Sequence, residues 1–253
     1  MLAYHRFGGS TTVSVDLPVR QIAEQLDTLG EIARVVSIDV AVEELLPGAG
    51  SGRKPDRHRR PETPTVVLTA DDGTSDWVEL LLPLLVARNL PMTWYVATAF
   101  VDEQRDFPHG GRPITWSALR DAASTGLITV ASHTHSHAVM SKLDARTAAT
   151  ELDRSIDRIE TEIGQPCRHF AYPKALSASI EAEREVRRRF RSAALAGNRL
   201  NIPGRTDPAR LGRTPIKRSD SAHRFASKVR GGGRAEGWLR EHYDRFRYHD
   251  DGT

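Results

Sequence analysis

The chain has 253 residues, 39% hydrophobic and 27% charged, which is typical of a soluble globular protein and excludes a disordered or fibrous one. The formal net charge is only +3, and the single cysteine, Cys167, excludes an internal disulfide and a thiolate zinc cage. There is no nucleic-acid module signature and no apolar run of about eighteen residues, so we expect neither a nucleic-acid partner nor a membrane span. Because Met1–Arg6 also lacks the apolar core of an export signal, we expect a cytoplasmic location.

Residues 1–64 are predicted to lead into the main domain. They contain a short strand around Tyr4–Arg6, a helix from about Val19 to Leu29 and a strand-like segment at Arg34–Ile38. A basic loop follows, with its cations between Arg53 and Arg60. We interpret this loop as a solvated insertion, with contact to a phosphate-bearing or nucleotide-linked substrate as the alternative.

From Thr65 onward, short apolar runs alternate with amphipathic stretches, which indicates successive βα units around a parallel sheet or barrel. The predicted strands are Val66–Leu68, Met92–Ala97, Leu127–Ala131, Phe170–Tyr172 and one near Ala193. The predicted helices are Trp77–Arg88, Thr115–Ser124, Asp144–Ile163 and Glu181–Phe190. We therefore expect one α/β domain over residues 1–253, with a core barrel at 65–218 and a basic, helical tail at 219–253.

Two motifs suggest the chemistry. Thr69–Gly73 places two carboxylates, Asp71 and Asp72, at the end of a predicted strand, and His133–His137 contains three histidines at alternate positions. Carboxylate and imidazole ligands with a spare carboxylate as base are the components of a hydrolytic metal centre. Strand alternation would send neighbouring aspartates in opposite directions, so we expect the glycine to mark a turn that lets both face one site. Asp-Asp-Gly alone is also a common surface turn.

The histidine spacing admits two geometries. Positions i and i+4 share one face of a helix, which would pair His133 with His137. Positions i, i+2 and i+4 share one face of a strand, which would make His135 a third ligand or a donor that orients a ligand.

With these motifs, the chain resembles the polysaccharide deacetylases that have a NodB homology domain, carbohydrate esterase family 4. Their usual motif Thr-Phe-Asp-Asp-Gly is similar to Thr69–Gly73, and His-Ser/Thr-x-x-His is met by His133–His137. Phe170–Lys174 looks like the Phe-Ala-Tyr-Pro segment of one branch of the family, and Leu2–Arg6 and Thr206–Leu211 also look like that branch. The resemblance implies a distorted, incomplete (β/α) barrel with its site at the carboxyl ends of the strands.

The resemblance also implies the roles of the motif residues. Asp72, His133 and His137 are expected to hold one divalent metal, with Asp71 as the general base. Zn²⁺ is the default ion, and Co²⁺, Ni²⁺ or Fe²⁺ suit the same ligands.

Tyr172 and Pro173 match a part of the family that borders the substrate acetyl group, where a backbone N–H helps to bind the developing oxyanion. An aromatic residue followed by proline also ends a strand in many proteins. We therefore treat substrate binding by these two residues as an expectation beside this structural alternative.

Two positions depart from the family pattern. Ala70 replaces the usual phenylalanine, which either enlarges a pocket or is compensated by nearby packing. Many relatives carry a Leu-x-His motif on a late strand, whose histidine protonates the leaving amine, whereas Arg213–Lys217 contains no histidine. We expect His5, at the end of the first strand, to replace this acid, with an ordinary hydrogen-bonded histidine as the alternative.

These features predict metal-dependent hydrolysis of the N-acetyl group of an amino sugar or glycan, with release of acetate. A small or carrier-linked precursor and a finished polymer are both open as substrates. Two alternatives keep the fold: a hydrolase of another non-peptide C–N bond, and a sugar-binding pseudoenzyme that has lost its acid.

Overall fold

The computed structural model describes residues 1–46 and 63–232. The strands within these ranges are β1 (Leu2–Tyr4), β2 (Arg6–Phe7), β3 (Asp16–Leu17), β4 (Arg34–Val35), β5 (Thr65–Val66), β6 (Leu68–Asp72), β7 (Met92–Val96), β8 (Ile128–Ser132), β9 (His169–Ala171), β10 (Ser192–Ala196) and β11 (Leu211–Pro215). The α-helices are α1 (Val19–Ile32), α2 (Ile38–Leu45), α3 (Leu82–Arg88), α4 (Thr98–Glu103), α5 (Trp116–Ser124), α6 (Ala145–Ile163), α7 (Ile180–Arg189) and α8 (Ala222–Val229). A π-helical turn, Trp77–Leu81, precedes α3.

Seven strands close into a parallel barrel in the order β1, β11, β10, β9, β8, β7, β6. Because all neighbours are parallel, their carboxyl ends meet at one mouth. The predicted (β/α) barrel is confirmed, and it is incomplete in the sense that seven strands close it instead of the eight of a complete (β/α) barrel.

The segment predicted as a lead-in contributes to the barrel itself. Strand β1 lies between β6 and β11, with Leu2 paired to Leu68 on one side and to Thr214 on the other. The boundary placed at residue 65 therefore does not coincide with the edge of the barrel. The basic loop at Arg53–Arg60 lies outside the described residues, as does the predicted tail beyond residue 232.

Side chains alternate between the two faces of the barrel wall. Ala70 belongs to the large outer apolar core, which also contains Trp77 and Trp94, whose ring centroids are 5.2 Å apart. The small residue in place of phenylalanine is therefore accommodated by packing outside the barrel and does not widen its interior. A second, inner apolar cluster includes Ile38 and Val42 of α2.

Helix α6 follows directly from its sequence. Asp144 caps it by accepting a hydrogen bond from the Thr147 backbone N–H, and Gly164 ends it with a φ of 73°, a conformation that glycine adopts without strain. The apolar positions Ala148, Leu152 and Ile159 are buried against the barrel core. None of the helices in residues 1–46 and 63–232 is long and apolar enough to cross a membrane.

Candidate metal centre and active site

Asp71 and Asp72 end strand β6 at the carboxyl mouth of the barrel. Asp71 points into the interior and is only 4% exposed. Asp72 has a φ of 93° and Gly73 a φ of 111°, so the predicted turn begins one residue earlier than expected. A non-glycine residue held in such a conformation costs on the order of 1–3 kcal/mol. The turn brings the second carboxylate to the same mouth as the first.

Asp72, His133 and His137 converge on one point. The Asp72 Oδ1 atom lies 3.2 Å from His137 Nε2 and 3.7 Å from His133 Nε2, and all three ligand atoms lie within 4.8 Å of one another. Ligands about 2.1 Å from a tetrahedral Zn²⁺ are roughly 3.4 Å apart. The donor set therefore fits a single divalent ion, and its assignment as a metal site stays a prediction.

The tautomer of His133 favours metal binding. Its Nδ1 lies 2.7 Å from the carbonyl oxygen of Ala171, and since a carbonyl can only accept, Nδ1 carries the hydrogen and the Nε2 lone pair faces Asp72. Burial lowers the pKa of His133 from 6.5 to about 4 despite the nearby carboxylates. The imidazole is therefore neutral at pH 7, as a ligand must be.

We expect the metal-free protein to lose stability as the pH falls from about 6.5 to about 4, because the unfolded His133 takes up a proton at the upper value and the folded one only at the lower. In this interval the unfolded state binds more protons, so acid favours it. Urea unfolding of the chelator-treated, metal-free protein at pH 7, 6 and 5 measures the slope of the free energy of unfolding against pH. His133→Gln should flatten it, whereas His223→Gln, at an exposed position on α8, should not. An unchanged slope in His133→Gln would contradict this assignment.

His135 does not join the cluster. Thr134, in a left-handed conformation with a φ of 62°, turns the chain, and His135 Nδ1 lies 2.8 Å from Thr98 Oγ1 at the start of α4. Within the described residues, none of its contacts is to Asp72, His133 or His137. The segment is therefore a loop, in which the strand geometry that would have made His135 a ligand is not formed, and a role for His135 in orienting a ligand stays a prediction.

His5 lies at the same mouth, directly after β1. Its Nε2 atom is 3.9 Å from Asp71 Oδ2, and its side chain is 28% exposed, so it reaches the solvent side of the site. The indole Nε1–H of Trp77 donates to the His5 carbonyl oxygen at 2.7 Å and fixes the backbone there. The structure thus brings together the predicted acid and the predicted base, although they are 66 positions apart in the sequence.

Arg213, on β11, is a residue of this site that the sequence did not single out. It is 1% exposed, and its guanidinium donates to both oxygens of Asp71, at 2.5 Å and 2.8 Å. Burial alone raises the pKa of Asp71, but Arg213, followed by His133 and His5, outweighs it and holds the pKa below its ordinary value. The available signal was an arginine inside a predicted strand, which needs a carboxylate partner if it faces the interior.

Tyr172 and Pro173 do not supply the expected oxyanion donor. The Tyr172 backbone N–H donates to the Ala194 carbonyl oxygen at 3.1 Å, and its buried hydroxyl donates to the Ala209 carbonyl oxygen at 3.4 Å. Pro173 has no N–H and is buried. The Tyr172 N–H is therefore already hydrogen-bonded and Pro173 has none, so substrate binding by these two residues stays a prediction beside the alternative in which they end the strand.

An aromatic wall flanks the second histidine of the cluster. The Phe100 ring meets His137 edge-on with 6.5 Å between ring centroids, and it stacks on Phe107 at 4.2 Å. The Arg105 guanidinium lies 4.2 Å from the Phe100 ring centroid. These aromatic side chains therefore close the site on the side of α4, the helix that follows β7.

Three solved structures share this fold. The Streptococcus pyogenes deacetylase PplD, solved in complex with acetate, matches with a TM-score of 0.74 and 16% identity over 90% of this chain and 96% of its own. IcaB from Ammonifex degensii matches with a TM-score of 0.71 and 22% identity, covering 90% and 95%. The de-N-acetylase from Aggregatibacter actinomycetemcomitans matches with a TM-score of 0.71 and 19% identity, covering 90% and 98%.

No curated protein sequence matches the chain significantly. A sequence model described as polysaccharide deacetylase matches residues 58–189, just over half of the chain. The matched range contains both aspartates of β6 and both histidines of the three-residue cluster. The chain therefore belongs to the polysaccharide deacetylase family.

Proposed function

We propose that Asp71 and His5 are the base and the acid with which this polysaccharide deacetylase hydrolyses an N-acetyl group, releasing acetate and leaving a free amine on the sugar. The observation that carries the proposal is their 3.9 Å approach beside the three donors Asp72, His133 and His137. A base, an acid and a cation site at one mouth are the groups that amide hydrolysis requires.

A divalent ion held by Asp72, His133 and His137 would polarise the amide carbonyl and make water a stronger acid. Asp71 is placed to take the proton from the attacking water. Arg213 keeps this carboxylate ionised and fixes its orientation through two hydrogen bonds. The base is therefore preorganised before the substrate binds.

His5 is placed to donate a proton to the sugar nitrogen as the C–N bond breaks. One proton passes from the water to Asp71 and one passes from His5 to the sugar nitrogen, so that acetic acid and a neutral amine are formed. The acetic acid ionises to acetate in solvent, and Asp71 releases the proton that it took before the next turnover. The partly exposed His5 side chain can be reprotonated from solvent. This position supports the replacement of the late-strand histidine by His5 and weakens the case for a pseudoenzyme without an acid.

We propose Zn²⁺ as the native ion, since two imidazoles and one carboxylate with an open position are a common catalytic zinc set. Co²⁺, Ni²⁺ and Fe²⁺ suit the same donors, so metal exchange distinguishes them. The family acts on acetylated glycans. Small, carrier-linked and polymeric glycans all remain candidates, and the cytoplasmic location stays a prediction.

The activity is tested by stripping the purified protein with a chelator, reloading it with each of the four ions and measuring acetate release from N-acetylated substrates and ring opening of a cyclic ureide. The panel should contain N-acetylglucosamine, its oligomers, a sugar phosphate and a cyclic ureide. We expect acetate from N-acetylated sugars only in the metal-loaded protein. Turnover of the ureide alone would favour the alternative C–N hydrolase, and failure to bind a stoichiometric ion would favour a sugar-binding pseudoenzyme.

We expect His5→Gln to lower kcat for N-acetyl sugars by about 10²–10⁴-fold, the usual contribution of a general acid, with metal content unchanged. Hydrolysis of p-nitrophenyl acetate should fall far less, because its phenolate leaving group does not need a proton. His223→Gln on α8 is the matched control. Equal losses on both substrates would show that His5 is not the acid.

A further inference from the structure

We propose that helix α6 positions both imidazole ligands of the metal centre, through two side chains one helical turn apart. Ser155 contacts Ser132, the residue before His133, and Glu151 contacts Ser136, the residue before His137. The inference rests on the metal centre of the proposed function. It assigns Glu151 and Ser155 as positioning residues.

The contact at Ser155 is a buried relay of hydrogen bonds. Ser155 Oγ donates to the Leu152 carbonyl oxygen at 2.9 Å, so the Ser132 hydroxyl is the donor in the 2.6 Å contact between the two serines. Ser132 Oγ in turn accepts from the Thr134 backbone N–H at 3.2 Å. The relay thus fixes the residues on either side of His133, and both serines are fully buried.

The contact at Glu151 is a two-point clamp on the following turn. Its carboxylate accepts from the Ser136 backbone N–H at 2.8 Å and from the Ser136 hydroxyl at 2.9 Å. The next residue, His137, has a φ of 63°, a left-handed conformation that persists only where the surroundings enforce it. Glu151 therefore holds Ser136 by both its backbone N–H and its hydroxyl, directly before the residue whose left-handed conformation directs the His137 side chain.

Helix α4 holds the same loop from the other side. The backbone N–H of Ala99 donates to the His135 carbonyl oxygen at 2.8 Å, and within the loop the Ala138 N–H donates to Thr134 Oγ1 at 2.9 Å. These bonds should keep the loop in place when Glu151 is replaced. Loss of Glu151 is therefore expected to misorient one ligand without unfolding the loop.

The test compares Glu151→Ala, Glu151→Gln and Ser155→Ala with the control Asp157→Asn, which changes an exposed carboxylate on the same helix. Zinc affinity is measured by competition with a chromophoric chelator, and the metal-free Tm is measured in parallel. We expect Glu151→Ala to weaken zinc binding about 10–100-fold, the range found when groups that orient ligands are removed, with a metal-free Tm close to that of the control. The zinc affinity of Glu151→Gln should lie between those of the wild type and Glu151→Ala, because a single amide oxygen replaces the two carboxylate oxygens that accept from Ser136.

A double variant, Glu151→Ala with His137→Gln, shows whether the effect passes through this ligand. Once His137 has been replaced, the loss of Glu151 should cost little further affinity. Wild-type zinc affinity in both Glu151→Ala and Ser155→Ala would overturn the inference. It would also be overturned if the metal-free stability of these variants fell by as much free energy as their zinc binding did. If the wild-type protein itself binds no metal, the proposed function fails, which is a separate outcome.

Discussion

Asp71→Asn should bind the metal normally and lose about 10²–10⁴-fold in kcat/KM, the contribution of a general base. Asparagine has nearly the shape of aspartate, and its carbonyl oxygen can still accept from Arg213, but it cannot take a proton from water. The metal ligands Asp72, His133 and His137 are untouched. Acetate release and metal stoichiometry, measured on the same preparation, separate the two effects.

Asp121→Asn is the matched control, because it makes the same chemical change at an exposed position on α5. It should retain wild-type turnover. Substantial activity in Asp71→Asn, with a full complement of metal, would show that another group removes the proton. A loss of metal together with activity would instead place Asp71 among the ligands.

Arg213→Met should lower the free energy of unfolding by about 3–5 kcal/mol at neutral pH, because it leaves the buried carboxylate of Asp71 without its partner. The ion pair is almost fully buried, so solvent screens it little. Urea unfolding of the metal-free protein measures the loss. The double variant Arg213→Met with Asp71→Asn should regain part of it, since no unpaired charge is then buried.

The same variant tests how Arg213 tunes the base. In the wild-type protein the pKa of Asp71 is below its ordinary value because Arg213 outweighs burial. Without the guanidinium, burial dominates and the pKa rises. The acidic limb of the kcat/KM profile should therefore move to higher pH in Arg213→Met. An unmoved limb combined with the loss of stability would make Arg213 a purely structural residue.

Three of the nine non-glycine residues with a positive φ in the described ranges lie at this site. Asp72, Thr134 and His137 all have a φ between 60° and 95°, in a region that non-glycine residues rarely occupy. Two of the three are proposed metal ligands and the third lies between the two histidines. Because such conformations persist only under strong tertiary constraint, the arrangement suits a site that is preorganised for an ion.

Two local patterns each fitted more than one structure, which is why the sequence alone left the roles of His135 and Tyr172 open. Alternate histidines fit both a strand and a loop, and only the contacts of His135 with α4 decide for the loop. For Tyr172, an aromatic residue before proline fits both a substrate-binding segment and a strand end. Its backbone N–H donates to Ala194 of β10, and no local sequence pattern shows that β10 lies beside β9.

The sequence by itself determined the βα rhythm, the two motifs and the candidate acid, since hydrophobic periodicity and residue chemistry are local properties. Only the tertiary structure decided that β1 closes the barrel, that His5 faces Asp71 and that Arg213 pairs with that aspartate. Each of these depends on strand order and register. Parallel neighbours distant in the chain are brought together by burial of the whole sheet, which no short segment encodes.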